Sequence, residues 1–210
     1  MPPELDGVAR LYSQSLGVHG PVPQGVGWKT GEDQRLRFDK LATVLGPPGS
    51  LPVGVSVNDL GCGYGAMFWY LDRLLAGRLA RYSGYEISPD MLSSAKQQVA
   101  DPRADFLESP RVLRQADYSF ACGTFNVKLE VPEDAWTEYM KDTLMNLAEM
   151  SWRGFAFNVL STYVDWKRET LYYADPLMFF DFCKRNISRY VSLLHDYPLY
   201  EWTMIVRKGP

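Results

Sequence analysis

Short apolar runs alternate along this chain with longer segments whose apolar positions recur at helical spacing. The runs at Val53 to Asp59, Arg81 to Ser88, Ala104 to Leu107, Tyr118 to Cys122 and Gly154 to Leu160 predict strands. Between them, the spacing predicts helices over Gly31 to Val44, Ala66 to Leu75 and Glu133 to Met150, the last with Trp136, Met140, Leu144 and Leu147 on one face. A further helix opens at Ser88-Pro89-Asp90, with Ser88 as its cap, Pro89 in its first turn and Met91, Leu92, Ala95 and Val99 as its apolar face. Pro176 to Arg185 reads as an aromatic-rich helix. Tyr190 to Leu194 and Trp202 to Val206 read as strands joined too closely for a crossover, hence an antiparallel hairpin. Strand–helix alternation of this kind predicts an α/β protein with a mostly parallel sheet covered on both faces.

The first 45 residues break the pattern. After Pro2-Pro3, Val8 to Leu16 predicts a short helix, and Gly17 to Trp28 is too rich in glycine and proline for a regular element. Such a loop is either disordered or a cover for a site, and Val26 and Trp28 argue for packing. Gly46-Pro47-Pro48-Gly49-Ser50 ends the helix that follows. The chain thus divides into an N-terminal helical and loop segment, 1–45, placed to act as a lid, and a main domain, 46–210.

The run Asp59-Leu60-Gly61-Cys62-Gly63-Tyr64-Gly65-Ala66 joins a predicted strand to a predicted helix. Glycines at Gly61, Gly63 and Gly65 let a backbone bend and approach a ligand without Cβ interference. Glu86, at the end of the next strand, lies where an acid accepts hydrogen bonds from ribose hydroxyls. Two ligand types use this arrangement. A dinucleotide sets its pyrophosphate over the helix N-terminus, but Asp59, two places before the first glycine, would repel a pyrophosphate and attract an amine. A ribose-bearing ligand with a cationic or amino-acid end is favoured.

From Asp59 to Gly65, over Gly84 to Leu92 and in the terminal hairpin, the chain resembles the class I S-adenosylmethionine-dependent methyltransferases, a likeness spanning roughly residues 53 to 208. The resemblance implies a Rossmann-like, doubly wound, seven-stranded sheet with its last strand antiparallel. It implies S-adenosyl-L-methionine as cofactor and S-adenosyl-L-homocysteine as product. Asp59 and the stretch Gly61, Cys62, Gly63 and Gly65 would hold the methionine part, Glu86 with Ile87 the ribose, and Glu108 or Ser109 the adenine. The Asn/Asp-Pro-Pro-Tyr/Phe signature of methyltransferases acting on bases and glutamine is missing after the fourth strand, where Asn126 stands between Phe125 and Val127.

Methyl transfer needs an aligned acceptor and, for a hydroxyl or ammonium, a base. Asn126 is a candidate for orienting the acceptor, or else caps a turn. Asn158 is a candidate brace for the floor of the site, and Tyr163 follows it at the strand end. The chain has two histidines, and His195 is the first candidate base, with His19 the second. Trp28, with Tyr12, Lys29 and Arg37, is placed to cover the cofactor.

Composition narrows the acceptor. The net charge of −3 gives no basic excess for a nucleic-acid backbone. Aromatics at 14% suit a ring-lined pocket for an organic molecule. Three widely spaced cysteines provide neither a CxxC pair nor a disulfide framework, so no metal is expected and a reducing, cytoplasmic setting is. No apolar run is long enough to span a bilayer and no secretory pattern opens the chain. The resulting expectation is methyl transfer to an O or N atom of a small organic molecule, with no membrane partner and a homodimer left open. The rivals are an RNA or protein methyltransferase, an NAD(P)-dependent oxidoreductase and a non-catalytic nucleotide-binding protein.

Overall fold

The structure is a computed structural model and describes residues 5–47 and 51–209. Pro2-Pro3 and the Pro48-Gly49-Ser50 part of the helix stop lie outside the described residues. Seven strands form one sheet in the order β3-β2-β1-β4-β5-β7-β6. They are β1 (Val55–Leu60), β2 (Leu79–Glu86), β3 (Ala104–Glu108), β4 (Ala116–Ala121), β5 (Ser151–Leu160), β6 (Tyr190–Leu194) and β7 (Glu201–Arg207). The first five pair in parallel. β7 runs antiparallel to both of its neighbours, β5 and β6. The architecture is the Rossmann-like α/β fold with its reversed strand at the C-terminal hairpin, as expected.

Six α-helices cover the sheet: α1 (Asp6–His19), α2 (Gly31–Ala42), α3 (Ala66–Leu75), α4 (Pro89–Gln98), α5 (Glu133–Glu149) and α6 (Pro176–Asn186). Each face has its own core. Phe38 and Leu41 of α2 and Phe68, Leu71 and Leu75 of α3 pack with Val55 and Val57 of β1 on one side. Trp136, Met140 and Leu144 of α5 and Phe179 of α6 pack with Phe155, Phe157 and Trp202 on the other. Both faces of the central strands β1, β4, β5 and β7 are therefore buried, which is why they read as near-continuous apolar runs, while the edge strands β3 and β6 are only partly buried. A fully buried ring such as Trp202 removes ~150–250 Å² from water, worth about 4–6 kcal/mol before chain entropy is charged against it.

Helix starts follow their sequence signals. Ser88 Oγ accepts the Met91 N–H at 3.2 Å and caps α4, while Thr30 Oγ1 accepts the Asp33 N–H at 3.0 Å and caps α2. The N-terminal segment is more regular than its glycines and prolines suggest. α1 begins at Asp6 and continues through Gly17 to His19, ending where Gly20 adopts φ +74° and donates its N–H to Leu16 O at 2.7 Å. An exposed helical glycine costs only about 1 kcal/mol, less than is recovered by burying Val8 and Ala9 on the same helix. Pro23–Val26 then forms a 3₁₀ turn, proline's fixed φ suiting its first position. No helix among the described residues is long and apolar enough to cross a membrane.

Register places the site. Asp59 lies beside Gly84 of β2 and Phe120 of β4. The carboxyl ends of these three parallel strands thus open onto one edge of the sheet, the place where an open α/β sheet binds its ligands.

Candidate functional site

A cavity of about 90 Å³ lies at that edge, bounded by the turn after β1, the ends of β2 and β4, and residues from α1, α2 and α5. The turn is tied down by backbone: Gly61 and Cys62 donate to Tyr85 O at 2.8 and 3.1 Å. Thr124 Oγ1 donates to Leu60 O at 2.7 Å and stands 2.7 Å from where a Cβ on Gly61 would be, so only glycine fits there. Gly61, Cys62 and Gly63 line the cavity. Gly65 does not. It has φ +86°, and a Cβ there would come within 2.9 Å of Val99 in the core, so its smallness serves helix packing rather than ligand approach.

Two buried carboxylates face the cavity. Glu86 is held by three backbone donors: Gly63 N–H to Oε2 at 2.9 Å, and Ile87 and Ser88 N–H to Oε1 at 2.8 and 3.0 Å. Burial pushes its pKa up against the pull of those N–H groups. Asp59 is 1% exposed and accepts the Tyr82 hydroxyl on Oδ2 at 2.5 Å. Its Oδ1 is buried with no partner among the described residues. Burial raises its pKa to about 7, with the Tyr82 hydrogen bond opposing and the Glu86 charge adding to the rise. An orphaned carboxylate oxygen in a cavity costs several kcal/mol unless a ligand donates to it. A primary ammonium supplies that donor, so the residues present fit an amino-acid end here and a ribose at Glu86.

Ile87 and Ser109 also line the cavity. Ser109 is buried and holds a tight turn, its Oγ donating to Arg111 O at 2.6 Å and accepting the Arg111 N–H at 3.0 Å. Glu108 is exposed and points elsewhere, so of the two adenine candidates only Ser109 reaches the cavity.

The N-terminal segment supplies the cover. Leu5, Val8 and Tyr12 of the α1 region and Val26 and Trp28 of the loop line the cavity, while Lys29 does not. Arg37 lies behind Trp28, its guanidinium carbon 3.9 Å from the indole centroid. Ser13 Oγ lies 2.9 Å from Ser88 Oγ, tying α1 to the start of α4. From α2, Gln34 accepts the Tyr64 hydroxyl at 3.0 Å and closes another wall.

The acceptor-side candidates are more scattered. Asn126 is buried outside the cavity lining, where its Oδ1 accepts the Leu160 N–H at 3.1 Å and braces the loop after β4 against β5. Asn158 is fully buried; its Oδ1 accepts the Gly123 N–H at 2.7 Å and its Nδ2 donates to Glu201 Oε1 at 3.0 Å. It does not line the cavity but holds Gly123, which does. Tyr163 is 65% exposed, and His195 is exposed with its ring centroid 5.8 Å from that of Tyr163. His19 is exposed at the end of α1. None of Asn126, Tyr163, His195 and His19 lines the cavity.

Sequence reasoning missed Gln34, Tyr64, Cys122, Thr124, Trp136 and Tyr139 in the lining. It also missed Glu201, buried at 0% exposure and paired through both oxygens to Arg37 Nε at 2.9 and 3.1 Å. The signal for Glu201 was present: an acid between Tyr200 and Trp202 at the head of an apolar strand has no reason to be there unless it is paired.

The glycine turn, the two acids and the sheet order define a methyltransferase of the class I architecture. A family model described as a methyltransferase domain matches residues 58–140. The chain is 47% identical over 157 residues to Rv1506c of Mycobacterium tuberculosis, a protein named for methyltransferase activity, covering 73% of this chain and 93% of that one. The chain belongs to the class I S-adenosylmethionine-dependent methyltransferases. Among solved structures, it is similar to magnesium protoporphyrin IX methyltransferase from Synechocystis PCC 6803 with bound S-adenosylhomocysteine, at TM-score 0.62 and 15% identity over 84% of each chain. It is also similar to the plantazolicin methyltransferase BpumL in complex with S-adenosylhomocysteine, at TM-score 0.57 and 15% identity over 96% of each. At those identities the structural likenesses speak to the fold.

Proposed function

We propose that this enzyme transfers a methyl group from S-adenosyl-L-methionine to an O or N atom of a small organic molecule. The observation that carries the cofactor half is the unpartnered Asp59 Oδ1, buried in the cavity beside Glu86. In this reading Asp59 takes the amino group, and Gly61, Cys62 and Gly63 give the backbone approach. Glu86 takes the ribose hydroxyls with Ile87 against the sugar, and Ser109 meets the adenine. The cofactor supplies a methyl group already activated on a sulfonium. The protein's task is to bind, to exclude water and to align the acceptor.

A small, flat acceptor is supported by the rings that face the cavity: Tyr12, Trp28, Phe38, Trp136 and Tyr139. Among the described lining residues the titratable groups are acids, tyrosines and cysteines. Burial raises the pKa of Tyr12 and Tyr139, so neither ring is a ready base near neutrality. Alignment rather than proton abstraction by His195 or His19 is therefore the main contribution of this cavity. Tyr163 and Asn126 lie beyond its wall.

The N-terminal segment is the lid in this reading. A cavity of about 90 Å³ is smaller than the roughly 300 Å³ at which small-molecule sites begin. Loading therefore needs Tyr12, Val26 and Trp28 to move outward, and closure then shuts out water.

Calorimetric titration with S-adenosylhomocysteine, with NAD in a parallel cell, tests the cofactor. Firm S-adenosylhomocysteine binding that is lost in Asp59→Ala is expected, and NAD binding alone would overturn the reading. Mass spectrometry of candidate small molecules incubated with enzyme and S-adenosylmethionine then tests the acceptor class. Methyl gain by RNA or protein only would overturn that part.

A further inference from the structure

A buried network runs behind the cavity wall from Gly123, after β4, to Trp28 of the lid. Gly123 donates its N–H to Asn158, Asn158 donates to Glu201, and Glu201 receives Arg37 Nε on both oxygens. Arg37 also donates to Asp33 O at 2.9 Å within α2. Arg37 is 8% exposed and Glu201 0%, so the pair is removed from solvent. The guanidinium plane then meets Trp28 at 3.9 Å. The other contact of that indole closes the circuit: a Cβ built on Gly123 would lie 2.3 Å from Trp28 Cη2. Gly123 has φ +69° and lines the cavity together with Trp28.

An apolar pair would hold α2 on β7 at least as well as this ion pair. Arginine offers something leucine does not, a flat cation that fixes an indole face. We propose that Arg37 and Glu201 form a positioning pair that seats Trp28 on Gly123, and that this seat closes the cavity at the carboxyl end of β4. Gly123 is the complementary position, since any side chain there displaces the indole. The pair touches no reacting atom; it acts through Trp28. Its consequence for the enzyme rests on the methyltransferase reading above, because it governs how fast product leaves and how large an acceptor enters beneath the indole.

The test uses the double variant Arg37→Met/Glu201→Met, which removes both charges while keeping apolar bulk. Circular dichroism and thermal melting establish that it folds. In the ligand-free protein, amide hydrogen exchange across residues 22–30 is expected to quicken tenfold or more. Unchanged exchange in the folded variant would overturn the proposal. Stopped-flow release of S-adenosylhomocysteine is expected to quicken by a similar factor. In a Trp28→Ala background the double variant is expected to add nothing to that rate; an independent, multiplicative effect would show that the pair does not act through Trp28. Arg37→Lys keeps the charge but lacks the flat guanidinium, so it serves where the double variant fails to fold, with the same exchange readout. Failure of the wild-type protein to bind S-adenosylhomocysteine would strike the methyltransferase reading alone, because the exchange comparison needs no ligand.

Discussion

The two halves of the sheet both carry buried acids at the edge where the parallel strands end, Glu201 lying there because β7 is reversed, and they use them in different ways. On the β1–β2 side, Asp59 has one oxygen with no partner among the described residues, and Glu86 accepts the Gly63 N–H of the turn that lines the cavity and the Ile87 and Ser88 N–H groups beyond its own strand. On the β5–β7 side, Glu201 is saturated by Arg37 and Asn158. Burial raises the pKa of both Glu86 and Glu201, with Arg37 offsetting the rise only in the second. The raised pKa therefore does not separate site from scaffold, and neither does the number of donors on the two glutamates; the buried Asp59 Oδ1, with no partner among the described residues, does.

The largest expected effect that breaks this contrast is at Glu86. Glu86→Ala removes the partner of three backbone N–H groups as well as the proposed ribose acceptor, and S-adenosylhomocysteine affinity should fall by more than about 100-fold in calorimetry, a loss of at least ~2.7 kcal/mol. Asn158→Leu on the other side should leave cofactor affinity within about threefold. It should instead cost about 1–3 kcal/mol of stability for each buried group left unpaired, read from urea unfolding.

Next comes pH. Asp59 keeps its proton to about pH 7 in the folded protein and loses it near 4 when unfolded. Between these values the folded state binds the extra proton, so this group's contribution to stability falls as pH rises from about 4 to 7. An ammonium ligand prefers the ionised form, so S-adenosylhomocysteine affinity should rise by about tenfold between pH 6 and 8. Titration in buffers of different ionisation enthalpy should show proton release. Asp59→Asn should flatten both profiles, and an unchanged slope in that variant would assign the linkage to another group.

The smallest expected effects sharpen the boundary of the site. Ser109→Ala should weaken S-adenosylhomocysteine by less than about tenfold, since its hydroxyl is already engaged with Arg111. His195→Ala should change affinity by less than about twofold and leave turnover, once an acceptor is known, within about threefold. A loss of turnover beyond a hundredfold would bring the exposed loop before β7 into the reaction.

The same contrast explains what was legible in the chain. Ala66–Leu75 falls where periodicity puts it, because the buried face carrying Met67, Phe68, Leu71 and Leu75 imposes its period on the local sequence. The glycine turn was legible because Asp59, Gly61, Cys62 and Gly63 are close in sequence and arranged by one strand–turn–helix unit. The far wall was not, whereas Trp28 and Tyr12 were legible as covering residues and both line the cavity. Gln34 of α2 and Trp136 and Tyr139 of α5 meet the turn only through tertiary packing. His195 and Tyr163 stood out as residue types, yet type carries no information on which way a loop turns its side chains. Gly17 to Trp28 looked irregular because local propensity cannot register the packing that carries α1 through Gly17.

The reversed strand has a consequence for synthesis. β7 lies between β5 and β6, both of which precede it in the chain, so the sheet has a gap until residues 201–207 leave the ribosome. Glu201 opens that strand, 164 positions after the arginine it neutralises. Until then Arg37 has no carboxylate to meet, and the indole it holds has no anchored cation beneath it. The nascent chain can complete its glycine turn early, but the final seating of its cover waits for the last strand to slot in.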